Sequence, residues 1–306
     1  MKSTWGPPSR CFIMNRDPET FEAFRADLLA LAYRMLGDLG RAEDLVQEAW
    51  LRWQGRDVDV NAPRAYLLKV VTHLCLNELD SARSRREESR SDRLPEPVDL
   101  GAGQLGKLEL LDQISMAFLV VLQRLTPAER AVLILHDVFD FSHAEIAMMV
   151  HKSAAACRQL LKRARGNVEQ ERRTLTTSPE EHRRLLTAFL RAAAAGRADQ
   201  LVELLADDVV LIADGGPAPA SFGSVRNLLG PLSGATKVAA FVASVTPQGS
   251  ANLTTRECDL NGQPAIIVLR NQRPYTAILL SVADGKIRHV FIHADPARLG
   301  HVGPLS

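Results

Sequence analysis

Nowhere does the sequence hold an apolar run of the ~18–20 residues that a membrane-crossing helix needs, so an ordinary transmembrane segment is excluded. Cysteine is scarce. Cys11, Cys75, Cys157 and Cys258 are scattered without paired spacing, which indicates neither a disulfide framework nor a zinc site and fits a reducing cytoplasm. A surplus of one charge is lacking too. With a formal net charge of +1, the chain is poorly suited to coating nucleic acid alone, because sequence-independent DNA affinity comes from neutralising phosphates. Any DNA role must use local basic stripes or borrow affinity from a partner. The first residues have no continuous apolar segment of the kind a secretion signal carries, and their Pro, Gly and Ser content marks 1–14 as a disordered extension.

What is present is the material of two or three globular domains, 46% hydrophobic and 24% charged. Phe21, Phe24, Leu28, Leu31, Ala32 and Met35 recur at helical spacing, and Gly37 is a stop signal. A second helix is expected from about Arg41 to Trp53, and a third from Pro63 to about Ser84. Residues 85–106 lose this periodicity and read as a linker, with Leu94-Pro95-Glu96-Pro97 extended. Helical patterning returns near Leu108 and lasts to about Leu175. Thr126-Pro127 with Glu129, and Ser142 with Glu145, open helices within it. Thr176–Pro179 is a second boundary, with Ser178 as N-cap. Beyond it come two helical segments, Glu180–Ala195 and Ala198–Leu205, then a strand Val209–Ala213 and a short helix near Lys237–Val245. Strand-like runs follow at Leu253–Leu260, Ala265–Arg270, Thr276–Val282 and Ile287–Phe291. Asn261-Gly262 and Asp284-Gly285 provide hairpin turns, which predicts an α+β domain with a curved antiparallel sheet.

Three helix faces carry polar rows. On the second helix Leu45, Val46, Ala49, Trp50 and Trp53 form the apolar stripe, while Asp44, Gln47, Glu48 and Leu51 share another face at i, i+3, i+4 and i+7. On spacing alone a solvated face is the default reading, and a surface for a basic partner the alternative. On the third helix Lys69, His73, Asn77 and Asp80 project away from Leu67, Val70, Val71 and Leu74, and its end is basic at Arg83, Arg85 and Arg86. Such side chains can read splayed bases and grip phosphates, or simply face water. Trp50, Trp53 and Tyr66 can stack on unpaired bases, although helical spacing places the tryptophans in the core. Residues 142–165 read as a helix-turn-helix, with its turn at His151-Lys152. Cys157, Leu160, Leu161 and Ala164 form the buried side of its second helix. Arg158, Lys162 and Arg165 run along the opposite side, with Gln159 and Arg163 beside them.

In combination these segments resemble the extracytoplasmic-function sigma factors. Ala42-Glu-Asp-Leu-Val-Gln-Glu-Ala-Trp-Leu-Arg52 is similar to their core-polymerase-binding helix. Pro63-Arg-Ala-Tyr-Leu-Leu-Lys69 through Asn77 is similar to their −10-reading helix, and Leu125-Thr-Pro-Ala-Glu-Arg-Ala-Val132 with the helix-turn-helix to their −35-reading domain. Arg85-Arg-Glu87, Leu94-Pro-Glu-Pro97 and Arg158-Gln-Leu160 further resemble a SigJ-like subfamily that ends in a SnoaL-like domain. Asp214-Gly215-Gly216 stands where that subfamily has an Asp-Gly-Gly-Gly loop, and Asp295-Pro296 near its terminal Asn-Pro-Asp motif. The sequence departs at Pro217, and His73 occupies a site that is often Asn in the wider family.

The resemblance implies two all-α domains followed by an α+β SnoaL-like domain. The divisions expected are 15–86 (sigma-2), 87–107 (linker), 108–176 (sigma-4) and 177–306 (SnoaL-like). It implies that Asp44, Gln47, Glu48 and Leu51 meet the polymerase core enzyme, that Lys69, His73 and Asn77 meet the −10 element, and that Arg158, Gln159 and Lys162 meet the −35 element. It also implies that Asp214, Gly215, Gly216, Asp295 and Pro296 belong to a regulatory loop and tail, and that the tail domain contacts the sigma-2 domain or the linker. Neither cofactor nor metal is implied. Two other function classes fit parts of the sequence: a repressor-like DNA binder using the helix-turn-helix alone, and a small-molecule-transforming or ligand-sensing SnoaL-like domain fused to a DNA-binding module. Asp214, Arg256, Tyr275 and His293 are the candidate pocket groups for the latter, although a turn role for Asp214 and a strand-end role for His293 are the simpler readings.

Overall fold

The computed structural model describes residues 18–55, 60–84, 93–99, 115–169, 177–215, 228, 230–246 and 252–302. Three helices come first: α1 (Pro18–Leu36), α2 (Leu39–Gln54) and α3 (Pro63–Ser84). Residues 93–99 then run without regular structure, and four helices follow: α4 (Met116–Arg124), α5 (Pro127–Asp137), α6 (His143–Val150) and α7 (Ala154–Val168). Local chemistry sets their starts. Thr126 with Glu129 and Ser142 with Glu145 form complete capping boxes, and Ser153 and Ser178 each accept a backbone N–H as N-caps.

The remaining elements are α8 (Pro179–Ala194), α9 (Ala198–Leu204), β1 (Leu205–Asp214), β2 (Leu232–Ser233), α10 (Ala235–Val245), β3 (Leu253–Leu260), β4 (Gln263–Arg270), β5 (Arg273–Ala283) and β6 (Lys286–His293), with a 3-10 turn at Pro296–Arg298. The sheet order is β2-β1-β6-β5-β4-β3. The fold class is the expected one in that helical domains precede an α+β domain, but the sheet is not purely antiparallel. β1 runs parallel to β6, because α10 and β3–β5 separate the two in sequence and carry the chain back to β1's side. Leu205 opens β1 and does not end the preceding helix. Asn261-Gly262 and Asp284-Gly285 do turn hairpins, with both residues at positive φ. A third hairpin uses Asn271-Gln272, also at positive φ, and Gln is a poor signal for such a turn.

Packing makes the helical half one body. Buried side chains of α1–α3, among them Phe21, Leu28, Trp53 and Leu67, share a core with Leu119, Leu122, Val132, Leu135 and Ile146 of α4–α6. Trp53 is buried and packs near Tyr66, and Trp50 stands edge-on to Phe21, so both serve the core. Polar groups cross the same seam. Arg130 of α5 is buried and donates to the Met35 carbonyl. Arg64 of α3 pairs with Asp27 at 2.8 Å and lies against the rings of Phe139 and Phe141.

The sheet has two covered faces. Val290 and Ile292 of β6 point toward α8–α10, in a core with Leu185, Phe189 and Val238. By alternation Phe291 and His293 point the other way. That face, with Ile212, Ile267 and Leu279, is covered by Met116 and Ala117 of α4, by Leu94 of the linker and by Leu299 and Val302 of the tail.

Candidate partner and nucleic-acid interfaces

The polar row of α2 is open to solvent. Asp44, Gln47 and Leu51 are exposed, Leu51 at 59%, and Glu48 is half-exposed and pairs with Arg52 one turn on at 2.6 Å. Asp38 caps the helix by accepting from the Arg41 N–H. The basic row of α7 is likewise open, with Arg158, Gln159 and Lys162 all exposed while Cys157, Leu160, Leu161 and Ala164 are buried. The turn between α6 and α7 is made by His151 in the left-handed region, at φ 52°.

The row on α3 is different. Asn77 is exposed and Lys69 half-buried, but His73 is engaged. Its Nε2 meets the Met149 carbonyl at the end of α6, and its ring lies 4.8 Å from that of His151. The α6–α7 turn therefore sits on the middle of the α3 row. The side chain of Arg83, and Arg85 and Arg86, lie outside the described residues.

The tail residues build a clasp. Arg298 donates to three groups from three parts of the chain: the Leu94 carbonyl at 2.6 Å, the Asp214 carboxylate at 3.0 Å and the Gly37 carbonyl at 3.3 Å. Gly37 follows α1 at φ +69°, a conformation glycine adopts without strain, and its carbonyl also accepts from the Glu96 N–H. Glu96 is buried. One carboxylate oxygen accepts from the Leu39 N–H in the first turn of α2, and the other is 2.6 Å from His301 Nδ1. An anion at a helix N-terminus is favourably placed, which offsets part of the cost of burying it. Tyr33 of α1 donates to the Glu96 carbonyl and accepts from Asn261 Nδ2. Asn261 also exchanges two hydrogen bonds with the Val98 backbone. The segment 94–98 is thus tied on one side to α1 and α2, and on the other to the sheet domain and its tail.

This geometry extends two readings. Asp214 ends β1 as a buried carboxylate neutralised by Arg298. His293 stands at the end of β6, as expected, but it is 2% exposed and is Asp214's register partner. Arg256 lies in the same cross-sheet row but four strands away, through Ile267 and Ala277, so the proposed pocket groups do not converge. Gly215 is buried, Asp295 caps the 3-10 turn through the Ala297 N–H, Pro296 is exposed, and Gly216 lies outside the described residues. Sequence reading missed Arg298, Tyr33, Glu96, Asn261 and His301. In the sequence, docking there was signalled by the stiff, apolar Leu94-Pro-Glu-Pro97 together with the Asp214-Gly-Gly216 loop and the Asp295-Pro296 segment.

Burial, reinforced by the Arg298 charge, pushes the His293 imidazole down to about 3, and burial with Arg183 pushes His182 of α8 down to about 4. Both are neutral in the folded chain but take up a proton near pH 6.5 when unfolded. Because the folded values are depressed, their contribution to stability is complete above about pH 6.5 and is lost as pH falls toward the folded values. At pH 5 the loss from His293 alone should be about 2 kcal/mol. Calorimetric melting from pH 7.5 to 5 should show the sheet domain losing stability, and His293→Gln should flatten that slope. An equal slope in the variant excludes His293 as its source.

Comparison with known proteins places these features in context. Residues 20–85 match the family model "Sigma-70 region 2", and residues 115–168 match "Sigma-70, region 4". The chain is 36% identical to the ECF RNA polymerase sigma factor SigJ of Mycobacterium tuberculosis, over 90% of this chain and 91% of that protein. It is 32% identical to the probable ECF RNA polymerase sigma factor SigI of the same organism, over 91% and 93%. The crystal structure of the M. tuberculosis extracytoplasmic function sigma factor SigJ superposes with a TM-score of 0.70 at 30% identity, covering 95% of this chain and all of that one.

Proposed function

Since the chain belongs to the extracytoplasmic-function sigma factors, and so directs RNA polymerase to promoters, we propose that the arrangement described above is a resting form that meets core polymerase first and promoter second. One observation carries this. The α2 row Asp44, Gln47, Glu48 and Leu51 stands open, while His73 of the α3 row is covered by the α6–α7 turn. In this reading the α2 row binds the core enzyme, Lys69, His73 and Asn77 read the −10 element, and Arg158, Gln159 and Lys162 read the −35 element. Elements whose names place them about 25 base pairs apart lie about 85 Å apart along B-form DNA, at 3.4 Å per pair. Readers in hydrogen-bonding contact cannot span that distance, so the domains 15–86 and 108–176 must separate for initiation, in the cytoplasm where promoter and polymerase meet.

The tail domain, 177–306, biases that separation. It grips α4 through its sheet and grips α1, α2 and the linker through Arg298, Asn261 and His301. A ligand or domain shifts such an equilibrium only through contacts made in one state and lost in the other, and the clasp supplies contacts of that kind. Catalysis by the tail is disfavoured, since Asp214 is paired with Arg298 and His293 is held neutral in the core. Run-off transcription with core enzyme tests the reading. Full-length protein should give less product per bound sigma than protein ending after Arg173; equal yields at equal core affinity would make the tail a passenger.

The −35 assignment has its own test. Arg158→Ala and Lys162→Ala should each weaken promoter-dependent transcription. A side chain that reads a base should cost about 1–3 kcal/mol and relax preference at one position, whereas a phosphate contact should weaken all promoters alike. Wild-type output from both variants would refute this recognition face.

A further inference from the structure

A second cationic cluster lies beside the α7 row, and none of the roles above uses it. His136 in the last turn of α5 and His143 at the first position of α6 bring their rings to 4.8 Å. Arg165 of α7 reaches the same place. Its Nη2 is 3.4 Å from His136 Nδ1, and the guanidinium holds both oxygens of Asp137. Both histidines are partly exposed, and Arg158 and Arg165 are exposed.

We propose that His136, His143 and Arg165 form a seat for a backbone phosphate of the promoter duplex beside the −35 element, and that this seat takes up protons as DNA docks. The proposal rests on α7 being the −35 reader and extends that reading to the backbone. Helix-turn-helix domains lay their first helix across the DNA backbone while the second enters the groove, and the start of α6 is where that crossing falls.

Charges of both signs surround the seat. From α5 it is faced by His136 and Asp137, and from α7 by Arg158 and Arg165, with Lys162 between them on the same face. On α6 the Glu145 carboxylate is turned back onto the Ser142 hydroxyl and N–H, and the α5–α6 loop adds Asp140, which is exposed. Asp137 is engaged by Arg165 and also by His136, whose Nδ1 lies 2.9 Å from its carboxylate. His143 is held below its ordinary value by desolvation first, and then by the positive charges of His136, Arg158 and Arg165. A phosphodiester arriving beside His143 adds a negative charge close to its ring, so it favours the His143 imidazolium and DNA binding tightens as pH falls. If docking raises the His143 value by about one unit, affinity should rise by up to about tenfold as pH falls through it.

The experiment is equilibrium binding of the polymerase holoenzyme to a linear promoter fragment at pH 8 and pH 6, over a range of salt. The probe is the His136→Gln/His143→Gln double variant, in which both rings lose their charge. Wild type should gain more affinity on acidification than the variant gains, by up to about tenfold. At pH 6 its salt dependence should also be steeper by about one phosphate's worth, a slope of about 0.9. His143→Arg should bind tightly at both pH values, and it decides the matter if the double variant melts early. A pH response and salt slope unchanged in the double variant, or no gain for His143→Arg at pH 8, overturn the seat. Lys162→Ala separates the two readings. It should weaken binding while keeping the pH response, and wild-type binding by that variant overturns the −35 assignment itself.

Discussion

Arg298→Ala is expected to raise transcription from holoenzyme formed with core polymerase, while core affinity stays near the wild-type value. The side chain links the Leu94 carbonyl, the Asp214 carboxylate and the Gly37 carbonyl, and so joins tail, linker and first helical domain in one place. Hydrogen bonds to charged groups contribute about 1.5–3 kcal/mol each. Losing even one that exists only in the closed form changes the open-to-closed ratio about tenfold or more. The carboxylate of Asp214 is left buried without this cation, which adds to the cost of the closed packing. Glu96→Gln is the milder companion. It keeps the shape but weakens the bond to His301 and the interaction with the start of α2, and should raise output by less. Run-off yield at matched concentration, with limited proteolysis of the 85–115 segment as a gauge of opening, checks both. If Arg298→Ala leaves yield and proteolysis unchanged, the clasp does not restrain the domains.

The second large effect is expected on the exposed face of α2. Asp44→Lys with Glu48→Lys should lower affinity for core polymerase about tenfold or more and abolish promoter-directed transcription at limiting sigma. Both side chains lie on the exposed side of α2, away from Val46, Ala49 and Trp53. Reversing them should therefore change stability by only about 0.5 kcal/mol. The intrahelical Glu48–Arg52 pair that is lost is worth about 0.3–0.5 kcal/mol, as exposed i,i+4 pairs are. Binding and folding effects are thus separable. Like-charge juxtaposition across an interface costs several kcal/mol and slows encounter, so the loss should appear in the association rate and weaken with salt. Unchanged co-purification with core enzyme, in a variant that melts like wild type, sinks the assignment of this row.

The two expectations describe one equilibrium from its two ends. In the proposed reading the α2 row offers a contact available in the closed chain, and the clasp sets how much free energy that contact, together with promoter DNA, must supply to separate the readers. His73 marks the point of competition, because the group read here as a −10 contact is occupied by the Met149 carbonyl until the domains part.

Local rules made much of this legible in the sequence. The capping boxes at Thr126 and Ser142, the N-cap at Ser178, the αL turn at His151 and the hairpins at Asn261-Gly262 and Asp284-Gly285 depend on residues within four positions of each other. The apolar stripes of α2 and α7 follow from helical periodicity, and the exposed rows opposite them follow in turn. What tertiary structure alone decided are the pairings between distant segments: β1 alongside β6 in parallel, Arg298 on Gly37, Asn261 on Tyr33, Glu96 on Leu39, and the α6–α7 turn over His73. These contacts join segments up to 261 positions apart. No spacing rule reaches that far, because which carbonyl a buried arginine meets is set by the way whole domains pack, and packing is governed by shape and burial summed over many side chains.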